Sequence, residues 1–163
     1  MNNIKWAILG PGNIASEFAK ALCEVNGSIY AVGSRSLEKA NKFASKFNVE
    51  KTYGNYDEML RDDAIDVVYV STPHCSHYEY IMKSLENNKH VLCEKAITVN
   101  RNQLNDIVEL AQKKGLVVAE AMTIYHMPLY KKLKEIVQSG KLGKLKMVQV
   151  SFGSCKEYDC LLY

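Results

Sequence analysis

The fold is decided by Ile4-Lys5-Trp6-Ala7-Ile8-Leu9-Gly10-Pro11-Gly12-Asn13-Ile14-Ala15, where an apolar run ends in a Gly-x-Gly-x-x-Ala turn and a helical pattern follows. A strand, a tight turn and a helix N-terminus in this order form a site for a pyrophosphate. Gly10 permits the turn, Gly12 lets the backbone approach a phosphate, and Ala15 lets the helix pack on the strand. The stretch predicts dinucleotide binding, and an ordinary glycine-rich βα turn is the alternative.

Composition narrows the class of protein. The 163 residues carry a net charge of only +3, with 47% hydrophobic and 24% charged residues. Basic and acidic residues are interspersed and no apolar run approaches the ~20 residues of a membrane helix, so we predict neither a nucleic-acid nor a membrane partner. The five scattered cysteines are typical of reduced thiols, and the start of the chain leaves no room for a signal peptide, which favours a cytoplasmic protein.

Hydrophobic periodicity predicts strands that alternate with helices as far as Ala121. Continuous apolar strands of this kind are typical of an α/β fold with a doubly wound parallel sheet. The predicted strands are Ile4–Gly10, Ser28–Gly33, Val49–Tyr53, Ile65–Ser71, His90–Cys93 and Leu116–Ala121. The predicted helices are Asn13–Val25, Leu37–Phe47, Asp57–Arg61, Ser76–Asn87, Asn100–Lys114 and Pro128–Ser139, with Ser36 as an N-cap and Gly115 as a stop.

The last segment follows a different pattern. Lys146–Gly153 alternates with a period of two, which predicts a strand of an antiparallel sheet and hence of a second domain. We therefore predict a nucleotide-binding domain over residues 1–122. Residues 123–163 would form a linking helix and the first strand of an incomplete second domain.

The candidate binding residues collect at the carboxyl ends of the predicted strands, where open parallel sheets bind ligands. They are Gly10, Pro11, Gly12, Asn13, Ile14, Ser34, Arg35, Ser36, Lys39, Ser71, Thr72, Pro73, His74, His77, Glu94, Lys95 and Glu120. No metal is predicted, because His74, Cys75 and His77 are better explained as loop residues than as ligands.

The end of the second strand indicates which nicotinamide cofactor binds. An NAD site usually has an acidic residue at this position, which accepts from the ribose 2′-hydroxyl. This chain has Ser34-Arg35-Ser36 and no carboxylate until Glu38. Arg35 offers a planar cationic fork for a 2′-phosphate, the serine hydroxyls add donors, and Lys39 lies one turn further on. We predict NADP(H) in preference to NAD(H), the alternative being a solvated surface arginine.

Lys95 is the strongest catalytic candidate, because it follows a buried strand directly. A lysine there can bond a substrate hydroxyl or a ribose and help manage the proton that accompanies hydride transfer. The alternative is a loop lysine that only reaches solvent. His77 is predicted to donate to cofactor or substrate, with an ordinary helix-start histidine as the alternative.

Four motifs in order resemble the Gfo/Idh/MocA oxidoreductase family. They are Gly10-Pro11-Gly12-Asn13-Ile14-Ala15, Ser71-Thr72-Pro73-His74-Cys75-Ser76-His77, Cys93-Glu94-Lys95 and Gly140-Lys141-Leu142-Gly143. Ser34-Arg35 and Glu120-Ala121-Met122 look most like the dihydrodiol dehydrogenase-like members, which use NADP. The resemblance implies a Rossmann domain, Lys95 as the catalytic lysine, and oxidation or reduction of a small-molecule sugar, polyol or diol.

The chain departs from the family in two respects. Ala96 stands where the family usually has a proline that is often cis, and because a cis bond before alanine costs ~3 kcal/mol we expect a trans or differently set loop. The chain is also about half as long as family members, so we interpret it as a truncated product that binds cofactor but turns over poorly. Its last strand would expose an apolar face that favours a homo-oligomer.

Two other functions stay open at this stage. The chain could be a nucleotide-binding sensor or regulatory module without catalysis, which would have no need of Lys95. It could also be a doubly wound domain that binds some other ligand through the same helix N-terminus.

Overall fold

The computed structural model describes residues 4–151 and 153, which include six strands and six α-helices. The strands are β1 (Trp6–Leu9), β2 (Ile29–Gly33), β3 (Lys51–Tyr53), β4 (Val67–Val70), β5 (His90–Cys93) and β6 (Val118–Glu120). The α-helices are α1 (Asn13–Glu24), α2 (Leu37–Phe47), α3 (Tyr56–Leu60), α4 (His77–Glu86), α5 (Arg101–Lys114) and α6 (Pro128–Gln138). Short 3₁₀ helices cover His74–Ser76 and Thr123–His126.

The six strands form one sheet in the order β3-β2-β1-β4-β5-β6, and every pairing is parallel. The predicted doubly wound parallel sheet is therefore confirmed. Strand order reverses between β1 and β4, which lie side by side with Leu9 opposite Val70. In sheets of this kind the crevice beyond that pair is where ligands bind.

Both faces of the sheet are buried, as the continuous apolar strands predict. Ala7 and Leu9 of β1 belong to one hydrophobic cluster with residues of α3, α4 and α5, whereas Ile8 belongs to a second cluster with residues of α1 and α2. In β4, Val68 and Tyr69 divide between the clusters in the same way. The helices thus cover both faces of the sheet and leave the carboxyl ends of its strands open.

The helix ends follow from local sequence. Ser36 caps α2 by accepting from the Lys39 amide, Asn100 caps α5 by accepting from the Gln103 amide, and Gly115 ends α5 with φ +65°.

Several strands are shorter than predicted. Gly10 and Ser71 lie just beyond β1 and β4, although the Gly10 amide still donates to Gly33 O and the Ser71 amide to Leu9 O.

Chain contacts divide the protein into two units, Met1–Met122 and Thr123–Tyr163. In the second unit, α6 begins with Pro128 at its first position, where a missing amide hydrogen costs nothing.

The predicted strand Lys146–Gly153 is wrong for the described residues 146–151 and 153, which are exposed and irregular. A strand needs a hydrogen-bonded neighbour, and none of the described strands pairs with this segment. Phe152 lies outside the described residues. Among the helices that the structure describes, none is long and apolar enough to cross a bilayer.

Candidate functional site: a nucleotide cleft at the carboxyl ends of the strands

The turn after β1 is fixed by its own backbone and by β4. Gly10 adopts φ +98°, and the Gly12 amide donates to Gly10 O at 2.9 Å. A Cβ on Gly10 would lie 3.2 Å from the Ser71 carbonyl oxygen, and the Ser71 hydroxyl donates to Gly10 O at 2.8 Å. Glycine is therefore required at position 10 for conformation and for space.

Beyond this turn the N-terminus of α1 is open. Its first internal bond runs from the Ser16 amide to Gly12 O, so the amides of Asn13, Ile14 and Ala15 precede it, and no side chain caps the helix. A Cβ on Gly12 would meet nothing within 4 Å. Free amides, the positive end of the helix dipole and open space together form an anion site.

Cationic and hydroxyl side chains follow β2. The Ser34 hydroxyl, which is buried, accepts from the Ser36 amide at 3.2 Å, and Ser36 in turn caps α2. These two bonds fix the backbone around Arg35. Arg35 and Lys39 line the same cavity as the turn after β1.

A cavity of about 520 Å³ joins these features. Its lining includes ten of the sequence-predicted residues, namely Gly10, Pro11, Gly12, Ser34, Arg35, Ser36, Lys39, Ser71, Thr72 and Pro73. Thr72 Oγ1 is buried there without a hydrogen-bond partner among the described residues. A buried polar atom with no partner is costly, so it favours a ligand that supplies one.

Sequence reasoning missed one wall of this cavity, which is formed by Tyr56, Cys75, Ser76 and Tyr80. The tyrosine rings meet edge to face with centroids 5.0 Å apart. Burial raises the pKa of both phenols, so they stay neutral at physiological pH. The available signal for Tyr80 was its position three residues after His77, because that spacing places both residues on one face of α4.

A second, smaller cavity of about 200 Å³ shares Ser71 and Thr72 with the first. It is lined by Ile14, Ser71, Thr72, His74, His77, Glu94 and Lys95. The Lys95 ammonium makes no hydrogen bond or ion pair with any residue in the described ranges 4–151 and 153. It is therefore free to meet a ligand in this cavity.

Side chains from other elements hold the backbone around Lys95. His74 Nε2 lies 2.6 Å from Lys95 O, and His77 Nδ1 lies 2.9 Å from Ala96 O. The Ile97 amide donates to Glu120 Oε1 at 2.9 Å. We expected a loop that is either trans or differently set, and the trans alternative is wrong, because the Lys95–Ala96 peptide bond is cis. The side chains of His74 and His77 bond the carbonyl oxygens of these two residues.

Glu94, which precedes Lys95, is held from inside the sheet. The Tyr69 hydroxyl on β4 donates to Glu94 Oε1, and burial raises the pKa of Tyr69 far above its usual value, with the Glu94 bond adding to the effect. Burial also raises the pKa of the neighbouring Cys93 thiol to about 12, so Cys93 is a core residue and not a nucleophile.

The structure thus brings the predicted residues of four strand ends to two adjoining cavities. Two predicted residues do not line either cavity: Asn13 lies exposed at the start of α1, and Glu120 bonds the Ile97 amide. The binding roles predicted for all of these residues stay predictions.

Comparison with known proteins connects this cleft to nucleotide-dependent enzymes. The model of an oxidoreductase family with an NAD-binding Rossmann fold matches residues 4–122. Trans-1,2-dihydrobenzene-1,2-diol dehydrogenase of Xenopus tropicalis is 33% identical over 152 residues, covering 91% of this chain and 46% of that protein. D-xylose 1-dehydrogenase (NADP⁺) of Hypocrea jecorina is 39% identical over 153 residues, covering 86% and 39%.

A solved structure agrees with these relatives. KijD10, a 3-ketoreductase from Actinomadura kijaniata in complex with NADP and TDP-benzene, is 30% identical with a TM-score of 0.80, covering 85% of this chain and 43% of that one. The chain spans less than half the length of each of these three proteins. The family match covers most of the chain and includes the residues that line the cleft. The protein therefore belongs to the Gfo/Idh/MocA oxidoreductase family, and it corresponds to the NAD-binding Rossmann part of that family's proteins.

Proposed function

We propose that this chain is the cofactor-binding part of a cytoplasmic NADP(H)-dependent oxidoreductase that acts on a sugar, polyol or diol. The observation that carries the proposal is the shared cleft, in which the turn after β1, Arg35 and Lys95 stand along one open edge of the sheet. Residues 1–122 would form the cofactor domain, and residues 123–163 would lead toward a second domain that holds substrate.

The residues present fit such a cofactor. The open amides of α1 and the space beside Gly12 suit a diphosphate, and Arg35 with Lys39 suits a 2′-phosphate. The unpartnered Thr72 Oγ1 offers a further donor or acceptor between the two cavities. The dehydrogenase of Hypocrea jecorina is named for NADP⁺ and the KijD10 complex contains NADP, which supports the same choice of cofactor.

A bound nicotinamide would supply or accept the hydride. The chain's own residues would transfer the proton that accompanies the hydride. Lys95 can do this because its ammonium has no partner among the described residues. During reduction of a carbonyl, Lys95 would donate a proton to the substrate oxygen. During oxidation of an alcohol, it would accept the proton of the substrate hydroxyl. A nucleotide-binding sensor would not need this free ammonium.

The test is cofactor affinity. We expect the chain to bind NADPH more tightly than NADH, and Arg35→Ala to weaken NADPH by between about ten-fold and a hundred-fold with NADH nearly unchanged, because charge-assisted bonds to the 2′-phosphate are lost. Arg101→Ala, at an exposed arginine of α5, is the matched control. Equal affinity for the two cofactors, or an Arg35→Ala variant that binds NADPH normally, would refute the choice of NADP.

A further inference from the structure

Three successive residues, Lys95, Ala96 and Ile97, are each bonded through the backbone to a side chain from another part of the chain. The bonded backbone groups are Lys95 O, Ala96 O and the Ile97 amide. Their partners are His74 and His77 on one side and Glu120, at the end of β6, on the other. The backbone is therefore fixed, while the Lys95 ammonium is left without a partner among the described residues.

His77 contacts two backbone carbonyl groups at once. Its Nε2 lies 2.8 Å from Thr72 O, and its Nδ1 lies 2.9 Å from Ala96 O. The side chain has no solvent exposure, so bulk water does not replace either contact.

We propose that His77 and Glu120 are positioning residues that fix the backbone of Glu94–Ile97 and so decide where the Lys95 ammonium stands. The inference rests on the proposed function, in which Lys95 meets the ligand. It assigns both side chains to the backbone of this segment, whereas the sequence predicts that they bind cofactor. Neither residue acts on the reacting atoms.

The first experiment needs no ligand. We expect Glu120→Leu to speed hydrogen exchange of the Ile97 amide by about ten-fold, because the acceptor is lost. Glu120→Gln keeps an acceptor oxygen and should restore protection. Glu109→Leu, at an exposed glutamate of α5, is the matched control.

The second experiment separates positioning from general destabilisation. In the wild type, NADPH should shift the Lys95 side-chain resonance, whereas 2′,5′-ADP, which lacks the nicotinamide half, should not. In Glu120→Leu and in His77→Phe, we expect affinity for 2′,5′-ADP to stay within about two-fold while the Lys95 response to NADPH disappears. A merely structural role would weaken both ligands together, and Glu120→Gln would not rescue the response.

The possible results are distinguishable. A wild-type chain that binds neither ligand refutes the proposed function, and the exchange rate of the Ile97 amide then decides the positioning proposal alone. An Ile97 amide whose exchange is not faster in Glu120→Leu overturns the proposal, and so does an unchanged Lys95 response in that variant. If His77→Phe does not fold, the two Glu120 variants still give the decision.

Discussion

The turn Gly10–Ile14 and the segment Glu94–Ile97 both follow a buried parallel strand, yet different parts of the chain hold them. The turn is shaped mainly by its own backbone, with Gly10 at positive φ and the Gly12 amide bonded to Gly10 O, and the Ser71 hydroxyl after β4 adds one bond to Gly10 O. The segment depends on side chains of His74, His77 and Glu120, which come from elsewhere in the sequence. One cavity-lining loop thus depends mainly on local backbone geometry and the other on side chains from other elements.

The largest expected effect comes from a substitution in the turn Gly10–Ile14. Gly10→Ala would force a Cβ into a positive-φ residue, 3.2 Å from Ser71 O. We expect a loss of about 3 kcal/mol in the free energy of unfolding and no measurable NADPH binding. Urea denaturation and fluorescence titration measure the two effects.

Gly12→Ala is the matched control for that variant. Nothing lies within 4 Å of a Cβ at this position, so the free energy of unfolding should change by less than about 0.5 kcal/mol. NADPH should nonetheless bind more weakly, because the methyl group would occupy space that a phosphate needs. Equal stability losses in the two variants would contradict the distinction between a conformational and a ligand-facing glycine.

The next test concerns the hydrogen bonds around Asp62, a residue that lines neither cavity. Burial by itself would raise the pKa of Asp62, but hydrogen bonds from Tyr53, Lys51 and the Ala64 amide outweigh it and hold the pKa well below its usual range. A carboxyl group with a depressed pKa stabilises the fold above its unfolded pKa of about 3.9, and the contribution is lost as the pH falls.

We therefore expect Asp62→Asn to lower the free energy of unfolding by about 2 kcal/mol at pH 7, with the difference from wild type shrinking as the pH drops below about 4. Urea denaturation at pH 7 and pH 3 measures it. NADPH affinity should be unchanged at pH 7. A difference that grows at low pH would contradict the sign of the pKa shift.

The cavity wall formed by Tyr56 and Tyr80 gives a third test, because neither loop contains it. Tyr80 meets Tyr56 edge to face and lines the large cavity, which offers a base a flat surface for stacking. We expect Tyr80→Ala to weaken 2′,5′-ADP by about ten-fold and Tyr80→Phe to leave it nearly unchanged. Calorimetric titration gives both affinities, and an equal loss in the two variants would point to the hydroxyl instead.

The smallest expected effect concerns the anchor beneath Lys95. Tyr69→Phe removes the hydroxyl that donates to Glu94 and should cost about 1 kcal/mol in the free energy of unfolding. Tyr78→Phe removes a more exposed bond to Asp106 and should cost less than about 0.5 kcal/mol. Equal costs in denaturant titrations would show that the Glu94 anchor contributes no more than a surface bond.

The same contrast explains how far sequence reasoning reaches in this protein. The parallel sheet, the Ser36 cap and the Gly115 stop follow from periodicity and local chemistry, so they were predictable. The bond between Glu120 and Ile97 joins residues 23 positions apart, so no local sequence pattern predicts it. The cavity wall at Tyr80 was missed for a similar reason, because only packing of α4 beside α3 decides which face of the ring is open.

The strand at Lys146–Gly153 failed for the converse reason. Its alternation of apolar and polar residues is a property of the segment, but a ladder also needs a partner strand. None of the described strands supplies one, and residues 146–151 are irregular. Periodicity predicts which residues can form a strand and does not predict whether a neighbour is present.

The Glu120–Ile97 bond also bears on how the edge of the sheet opens in the native state. β6 is a three-residue edge strand that pairs only with β5 among the described strands, so its ladder bonds come from one side. Fraying of this edge in the native state would release the Ile97 amide well before the sheet unfolds.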